Sequence, residues 1–149
     1  MIIPFIAVDS REIQPSVLAY IGDSVYELYA RCHVAARSAS QSGKMHKKTI
    51  GYVSAEAQAH AVRELMPELD EEETSYFTRG KNSNPPTRSK NASPADYMYA
   101  TGFEALIGFL FLDNRGDRLE YIINRTFEII DSSEGAVGGN SEGLERLQR

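Results

Sequence analysis

The stretch Val17-Leu18-Ala19-Tyr20-Ile21-Gly22-Asp23-Ser24-Val25-Tyr26-Glu27 decides the reading of this chain, because it sets one aspartate inside a strongly apolar helical pattern. A carboxylate there needs a partner or a metal. Val17, Leu18, Ile21, Val25, Leu28 and Cys32 recur at helical steps, which predicts a buried stripe, with Ala19, Asp23 and Glu27 following one another at i, i+4 on a neighbouring face. Asp23 is then expected at the edge of the core, and Cys32 within it.

A second segment repeats the pattern. Tyr97 to Leu112 is a run of sixteen residues whose one charge is Glu104. Two isolated acids on two apolar helices invite pairing, and like charges in a poorly hydrated site repel unless one is protonated or a cation lies between them. A hard divalent cation such as Mg2+ answers that need with oxygen ligands and retained waters. A helix cap, a salt bridge or a solvated edge would also account for either acid alone. Ala100, Gly102, Ala105 and Gly108 are small enough to let another helix approach the Glu104 helix closely, within the subunit or across a dimer.

The rest of the chain has helical periods throughout, with no alternating strand pattern, no Gly-rich phosphate loop and no internal repeat. Helices are predicted near 15–37, 43–51, 53–66, 70–80, 95–113 and 116–131, an all-α fold, with Asp117 as N-cap of the last. Residues 1–131 form one predicted domain. Residues 132–149, rich in Gly, Ser and charge, are expected to be a flexible tail. At 149 residues, 42% hydrophobic and 25% charged, the chain is large enough for one real core. Neither a bilayer-spanning apolar run nor the basic start of a secretory signal is present in the sequence, so the expected location is cytoplasmic, with no membrane partner. The lone cysteine has no Cys or His cluster at zinc spacing.

A net charge of −5 sits poorly with nucleic-acid binding until the charges are located. Glu68, Asp70, Glu71, Glu72 and Glu73 form one cluster, and without these five acids the remainder equals the 16 basic residues in number. Asp70 and Glu73 have capping-box spacing, so the cluster is predicted to start a helix rather than to catalyse. The basic residues gather elsewhere, as Lys44, His46, Lys47 and Lys48 and again as Arg79, Lys81, Arg88 and Lys90. The second group lies in a predicted Gly80–Pro94 loop, with Arg79 just before it, that also holds Asn82 and Pro85-Pro86 and is longer than most loops in small domains. Phosphate contacts supply much of nucleic-acid affinity, so these islands are candidate RNA contacts despite the acidic whole. His33, His46 and His60 have no Ser or Cys nucleophile at a recognisable spacing. Tyr97 and Tyr99 are read as packing residues.

Leu18-Ala19-Tyr20-Ile21-Gly22-Asp23-Ser24-Val25 resembles the helix motif of the ribonuclease III catalytic domain, and Thr101-Gly102-Phe103-Glu104-Ala105-Leu106-Ile107-Gly108 resembles that family's second acidic motif. Met45-His46-Lys47-Lys48-Thr49 and Val53-Ser54-Ala55-Glu56-Ala57-Gln58-Ala59 are similar to its middle helices, so the resemblance spans roughly residues 14 to 130. It is strongest to the short bacterial form, Mini-ribonuclease III, which lacks the double-stranded-RNA-binding domain, and Arg79-Gly80-Lys81-Asn82 strengthens that assignment. The family pattern places further acids at the positions of Ser16, Ala19 and Thr101, so only Asp23 and Glu104 carry over as catalytic metal ligands.

The resemblance implies the ribonuclease III helical fold, a homodimer, and Mg2+-assisted hydrolysis of double-stranded RNA, with Mn2+ as a possible substitute. It implies a role in maturation of large-subunit (23S) ribosomal RNA. His46, Lys47, Lys48, Arg79, Lys81, Asn82, Arg88 and Lys90 are the implied RNA-binding residues. Two other readings stay open at this point: a catalytically silent RNA-binding or ribosome-associated module, made credible by the three missing acids, and an all-helical nucleotide pyrophosphohydrolase.

Overall fold

Each helical period in the sequence becomes a helix in the computed structural model: α1 (Pro15–Arg37), α2 (Ser42–Val53), α3 (Ala55–Leu65), α4 (Glu71–Lys81), α5 (Pro94–Leu112) and α6 (Gly116–Arg146). Short 3-10 turns, Ser10–Glu12 and Met66–Glu68, precede α1 and α4. The structure describes residues 8–37, 42–83 and 92–146, with the side chains of 42 and 135–146 excepted. Among the described residues there is no strand, as expected of an all-α fold.

The centre of the molecule is α5, because a helix apolar on every side must be surrounded. From Ala100 to Leu110 every residue except Glu104 is buried. Four other helices, α1, α3, α4 and α6, pack on it. Its Phe103, Leu106, Ile107, Phe109 and Leu110 are fully buried, each worth roughly 1.5–3 kcal/mol relative to exposure before the entropic cost of ordering it. Tyr26 of α1 meets Phe103 edge-on at 5.0 Å between ring centroids, and its hydroxyl donates to the Tyr52 carbonyl at 2.8 Å. The polar tip of a buried ring is thereby satisfied.

Local chemistry sets the helix starts. Ser54 caps α3, Ser93 caps α5 with Pro94 in the first turn, and Asp70 and Glu73 form the expected capping box at the start of α4. The acidic cluster has a further purpose that sequence spacing did not reveal. Three arginines face it, Arg115 just before α6 and two within that helix. Arg118 donates to the buried Glu73 carboxylate at 2.6 and 2.9 Å, Arg115 pairs with Glu72, and Arg125 reaches Glu68 at 3.1 Å. These pairs clasp the start of α4 to α6.

The stripe expected on α1 is rotated from its predicted position. Leu18, Ala19, Gly22, Tyr26, Ala30 and Val34 are the buried set, while Val17 and Leu28 are exposed and Cys32 is exposed rather than in the core. The reason is steric: Gly22 lets the α5 backbone approach closely, so packing selects its side over the one that carries Val17 and Leu28. The helix ends also differ from expectation. Asp117 lies within the first turn of α6 and is not its N-cap; it still favours the positive end of the helix dipole. α6 continues past the predicted end at 131 to Arg146, with Ser133 donating back to the Ile129 carbonyl at 3.1 Å. α4 runs to Lys81, so Arg79 and Lys81 are helical, and the predicted loop begins at Asn82.

Candidate active site

α1 and α5 cross backbone to backbone. A methyl group on Gly22 would lie 1.8 Å from the Glu104 carbonyl oxygen, and one on Gly108 would lie 2.0 Å from that of Leu18. Glycine is required at both positions because no other residue fits against a neighbouring main chain. Asp23 follows Gly22 directly and Glu104 stands at the crossing, so the contact that needs the glycines also brings the two acids together. On its other side α5 meets α4 through Gly102, where a methyl group would lie 2.7 Å from the Phe77 carbonyl oxygen. The small residues of α5 therefore serve packing within the subunit.

The two carboxylates differ in setting. Asp23 is exposed, and Glu104 is half-buried. Burial, reinforced by the negative charge of Asp23, pushes the Glu104 carboxyl up to about 8, and a hydrogen bond from Gln58 partly opposes the rise. Asp23 is also raised, by partial desolvation and by Glu27 one turn along α1. This is the electrostatic pattern of two acids short of a cation. Among the described residues no group of three or more His, Cys, Asp or Glu side chains is placed to hold a metal ion; the acids at the crossing are Asp23 and Glu104. Two oxygen ligands suit Mg2+, which keeps waters and takes substrate phosphate oxygens. The positions where further acids were sought are filled otherwise. Ala19 and Thr101 are buried, and the Thr101 hydroxyl donates to the Tyr97 carbonyl at 2.9 Å.

The ribonuclease III domain family matches residues 16–115, a span that contains both acids and the crossing glycines. The chain belongs to the ribonuclease III family. Within it the chain falls with Mini-ribonuclease 3: it is 43% identical over 133 residues to the protein of that name from Clostridium tetani, covering 89% of this chain and 88% of the relative. It is 40% identical over 123 residues to that of Brevibacillus brevis, covering 83% and 92%. A crystal structure of a protein from Fusobacterium nucleatum superposes with a TM-score of 0.73 at 26% identity, covering 82% of this chain and 98% of that one.

On this ribonuclease III framework the basic residues flank α1 at its two ends. Arg79 and Asn82 line a cavity with Pro15 and Ser16 at the start of the helix. Lys47 and Lys48 line another with Val34 and Arg37 near its end. His46, exposed on α2, faces Arg31 and Ala35. Ser16, Asp23 and Val34, seven and eleven residues apart, share one side of α1, so both cationic groups border the side that carries the acid. Arg79 lies over the Tyr76 ring at 4.1 Å. Lys81 and Arg63 both lie near the Tyr99 ring, at 5.2 and 4.4 Å, and Tyr99 packs against the buried Phe77. Arg88 and Lys90 lie outside the described residues.

The other histidines are structural. His33 stacks on Phe127 at 4.4 Å and faces Asp131 at 3.4 Å, and His60 meets Ser133 at 2.8 Å. Sequence reasoning missed Gln58, the buried amide beside Glu104. Its signal was present: Gln58 falls in register with Ala61, Val62 and Leu65, the apolar face of α3. A polar residue in that register is expected to have a specific partner.

Proposed function

We propose that this protein is an Mg2+-dependent endoribonuclease that hydrolyses phosphodiester bonds in double-stranded RNA, with Asp23 and Glu104 as the catalytic metal ligands. The observation that carries the reading is the acid pair at the α1–α5 crossing, with the Glu104 carboxyl pushed up to about 8 beside Asp23. Such a pair gains most from a divalent cation, whose charge removes the repulsion and favours both ionised forms. When bound, Mg2+ supplies Lewis-acid activation of water and compensates charge on the phosphate. Mn2+ has similar oxygen-ligand chemistry and is expected to substitute.

The chain's own residues do the rest. Asp23 and Glu104 are held by two helices that cannot slide while Gly22 and Gly108 interlock, so the ligand geometry is set before substrate arrives. Lys47, Lys48, His46, Arg79 and Asn82 contact phosphates along the side of α1 that carries the acid, and Lys81, Arg88 and Lys90 are proposed as further RNA contacts. A duplex is read by shape, phosphates and 2'-hydroxyls. Residues 1–131 constitute the catalytic unit and 132–149 an appendage to it.

The active form is proposed to be a homodimer. The face of α1 turned away from α5 exposes Val17, Tyr20 and Leu28, with Tyr20 80% and Leu28 56% accessible. These residues fall in one helical register, and α1 is therefore apolar on opposite sides, as expected of a helix covered by a second copy. Two copies would present one site to each strand of a duplex. The family resemblance supports precursor large-subunit ribosomal RNA in the cytoplasm as the substrate.

A long RNA duplex incubated with Mg2+ and the purified protein tests this, beside Asp23→Asn and Glu104→Gln. Cleavage by the wild type that falls ~10²-fold or more in both variants is the expected result. Duplex binding without cleavage would instead mark a silent RNA-binding module. Hydrolysis of nucleoside triphosphates in place of RNA would mark a pyrophosphohydrolase.

A further inference from the structure

Arg37 is a cation that the proposed function leaves without a task. It lies in the last turn of α1 and donates through Nη1 to Asp131 Oδ2 of α6 at 2.9 Å. An ion pair at a surface fixes little by itself, because two mobile side chains must be ordered to make it. Here the carboxylate is held from the core side. The Tyr52 hydroxyl donates to Asp131 Oδ1 at 2.5 Å, and His33 Nε2 stands 3.4 Å from Oδ2. Tyr52 is buried, packs on Phe127, and accepts at its carbonyl from the buried Tyr26 hydroxyl at 2.8 Å. Asp131 is thereby anchored to the core, and it passes that constraint to Arg37.

Arg37 lines a cavity of about 280 Å³ together with Lys47 and Lys48 of α2, and Glu134 lines it too. Even with Asp131 counted beside Arg37, cations exceed acids there, which favours an anion. The bond to Asp131 engages one of the five N–H groups of the guanidinium, and the planar fork suits a phosphate. Arg37 is fourteen residues from Asp23, or ~21 Å along the helix at 1.5 Å per residue, too far to reach the reacting phosphate. We propose that Arg37, Lys47 and Lys48 form a subsite for a backbone phosphate of the RNA duplex away from the cleaved bond, and that Asp131 is the positioning residue that presents Arg37 to it. A contact remote from the reacting atoms binds substrate and transition state alike, so it acts on KM and not on kcat. The inference rests on the proposed action on double-stranded RNA.

The test is the affinity of the full chain for an RNA duplex in a chelator, measured by fluorescence anisotropy over a range of salt, together with kcat and KM for cleavage in Mg2+. Arg37→Gln is expected to weaken binding ~10-fold, the worth of one charge-assisted hydrogen-bonding contact, to lower the salt slope by about one unit, and to raise KM while leaving kcat unchanged. Arg37→Lys keeps the charge but loses the fork, and should recover the salt slope with only part of the affinity. Asp131→Asn separates positioning from simple charge. Removing an acid beside a cationic cavity would by attraction alone tighten duplex binding, whereas loss of the support for Arg37 is expected to weaken it. Tighter binding in Asp131→Asn would overturn the inference, and so would wild-type affinity and salt slope in Arg37→Gln, or a loss of kcat at unaltered KM. Arg37 is exposed, so Arg37→Gln decides the matter if Asp131→Asn does not fold. A wild-type protein that neither binds nor cleaves the duplex would overturn the reading of the protein as an RNA enzyme, and this inference with it; cleavage by the wild type with an indifferent Arg37→Gln would overturn the inference alone.

Discussion

Glu104 occupies a helix whose neighbouring positions are all closed to solvent, and its ionisation therefore works against the fold. With the carboxyl pushed up to about 8 in the folded, metal-free protein, the folded state keeps a proton that the unfolded chain releases near its ordinary value of ~4.3. Below that value both states are protonated and nothing depends on Glu104. Between the two values the folded state binds more protons, so stability falls as pH rises, and the loss is complete above about 8. Thermal unfolding in a chelator from pH 5 to pH 8.5 should show this decline. Glu104→Gln, which cannot ionise, should flatten it and be the more stable protein at the alkaline end. Added Mg2+ should restore wild-type stability at alkaline pH and leave Glu104→Gln much less affected, since a ligand bound only by the folded state stabilises it. At this scale the sequence was informative about Asp23 and Glu104, because a lone charge in an apolar period stands out. Gln58 left a fainter signal, because a neutral amide in the apolar register of α3 does not interrupt the pattern as a charge does.

Between helices, the decisive contacts are those in which two backbones touch. Gly108→Ala sets two effects against each other. Alanine favours an isolated helix over glycine by ~1 kcal/mol, but its methyl group would lie 2.0 Å from the Leu18 carbonyl oxygen, which belongs to a rigid main chain. Overpacking of that kind costs ~1–3 kcal/mol or more, so destabilisation should win in urea unfolding. Activity should fall further than stability accounts for, because α1 must shift and carry Asp23 with it, and small misplacements at a reacting centre cost up to ~10²-fold. Gly22→Ala should behave alike. The clasp between α4 and α6 offers a separate check. Arg118→Met leaves the Glu73 carboxylate buried without its cation, a change worth ~3–5 kcal/mol in comparable buried pairs. Equilibrium unfolding should register that loss while Mn2+ affinity stays unaltered. Helix number and order were legible, as were most limits, since signals such as the Asp70 capping box and the Pro94 break act locally; the end of α6 at Arg146 rather than 131 was not. The rotation of α1 was not, because its apolar residues lie on two sides and the sequence does not say which side meets α5.

For the whole molecule, assembly and charge are the open variables. Leu28→Asp places a carboxylate on the exposed apolar face of α1 while touching nothing in the core. The proposed dimer should dissociate in sedimentation experiments with helical content retained, whereas a monomeric wild type would leave that face for another partner. Duplex binding should weaken steeply with added salt, because contacts from Lys47, Lys48 and Arg79 act on phosphates, and Lys47→Ala should reduce the salt slope by about one unit. The net charge of −5 gave the wrong impression of the surface, since Arg115, Arg118 and Arg125 are spent on the acidic cluster. The sequence by itself determined the helices and singled out two isolated acids in apolar runs, which follow from short-range periodicity, capping and the isolation of charge. Tertiary structure alone decided which face of α1 is buried, that α5 lies at the centre, that the Asp23 and Glu104 helices cross at interlocked glycines, and that three arginines neutralise the acidic run. These depend on contacts between residues far apart in the chain, where steric fit selects among arrangements that local patterns leave equivalent.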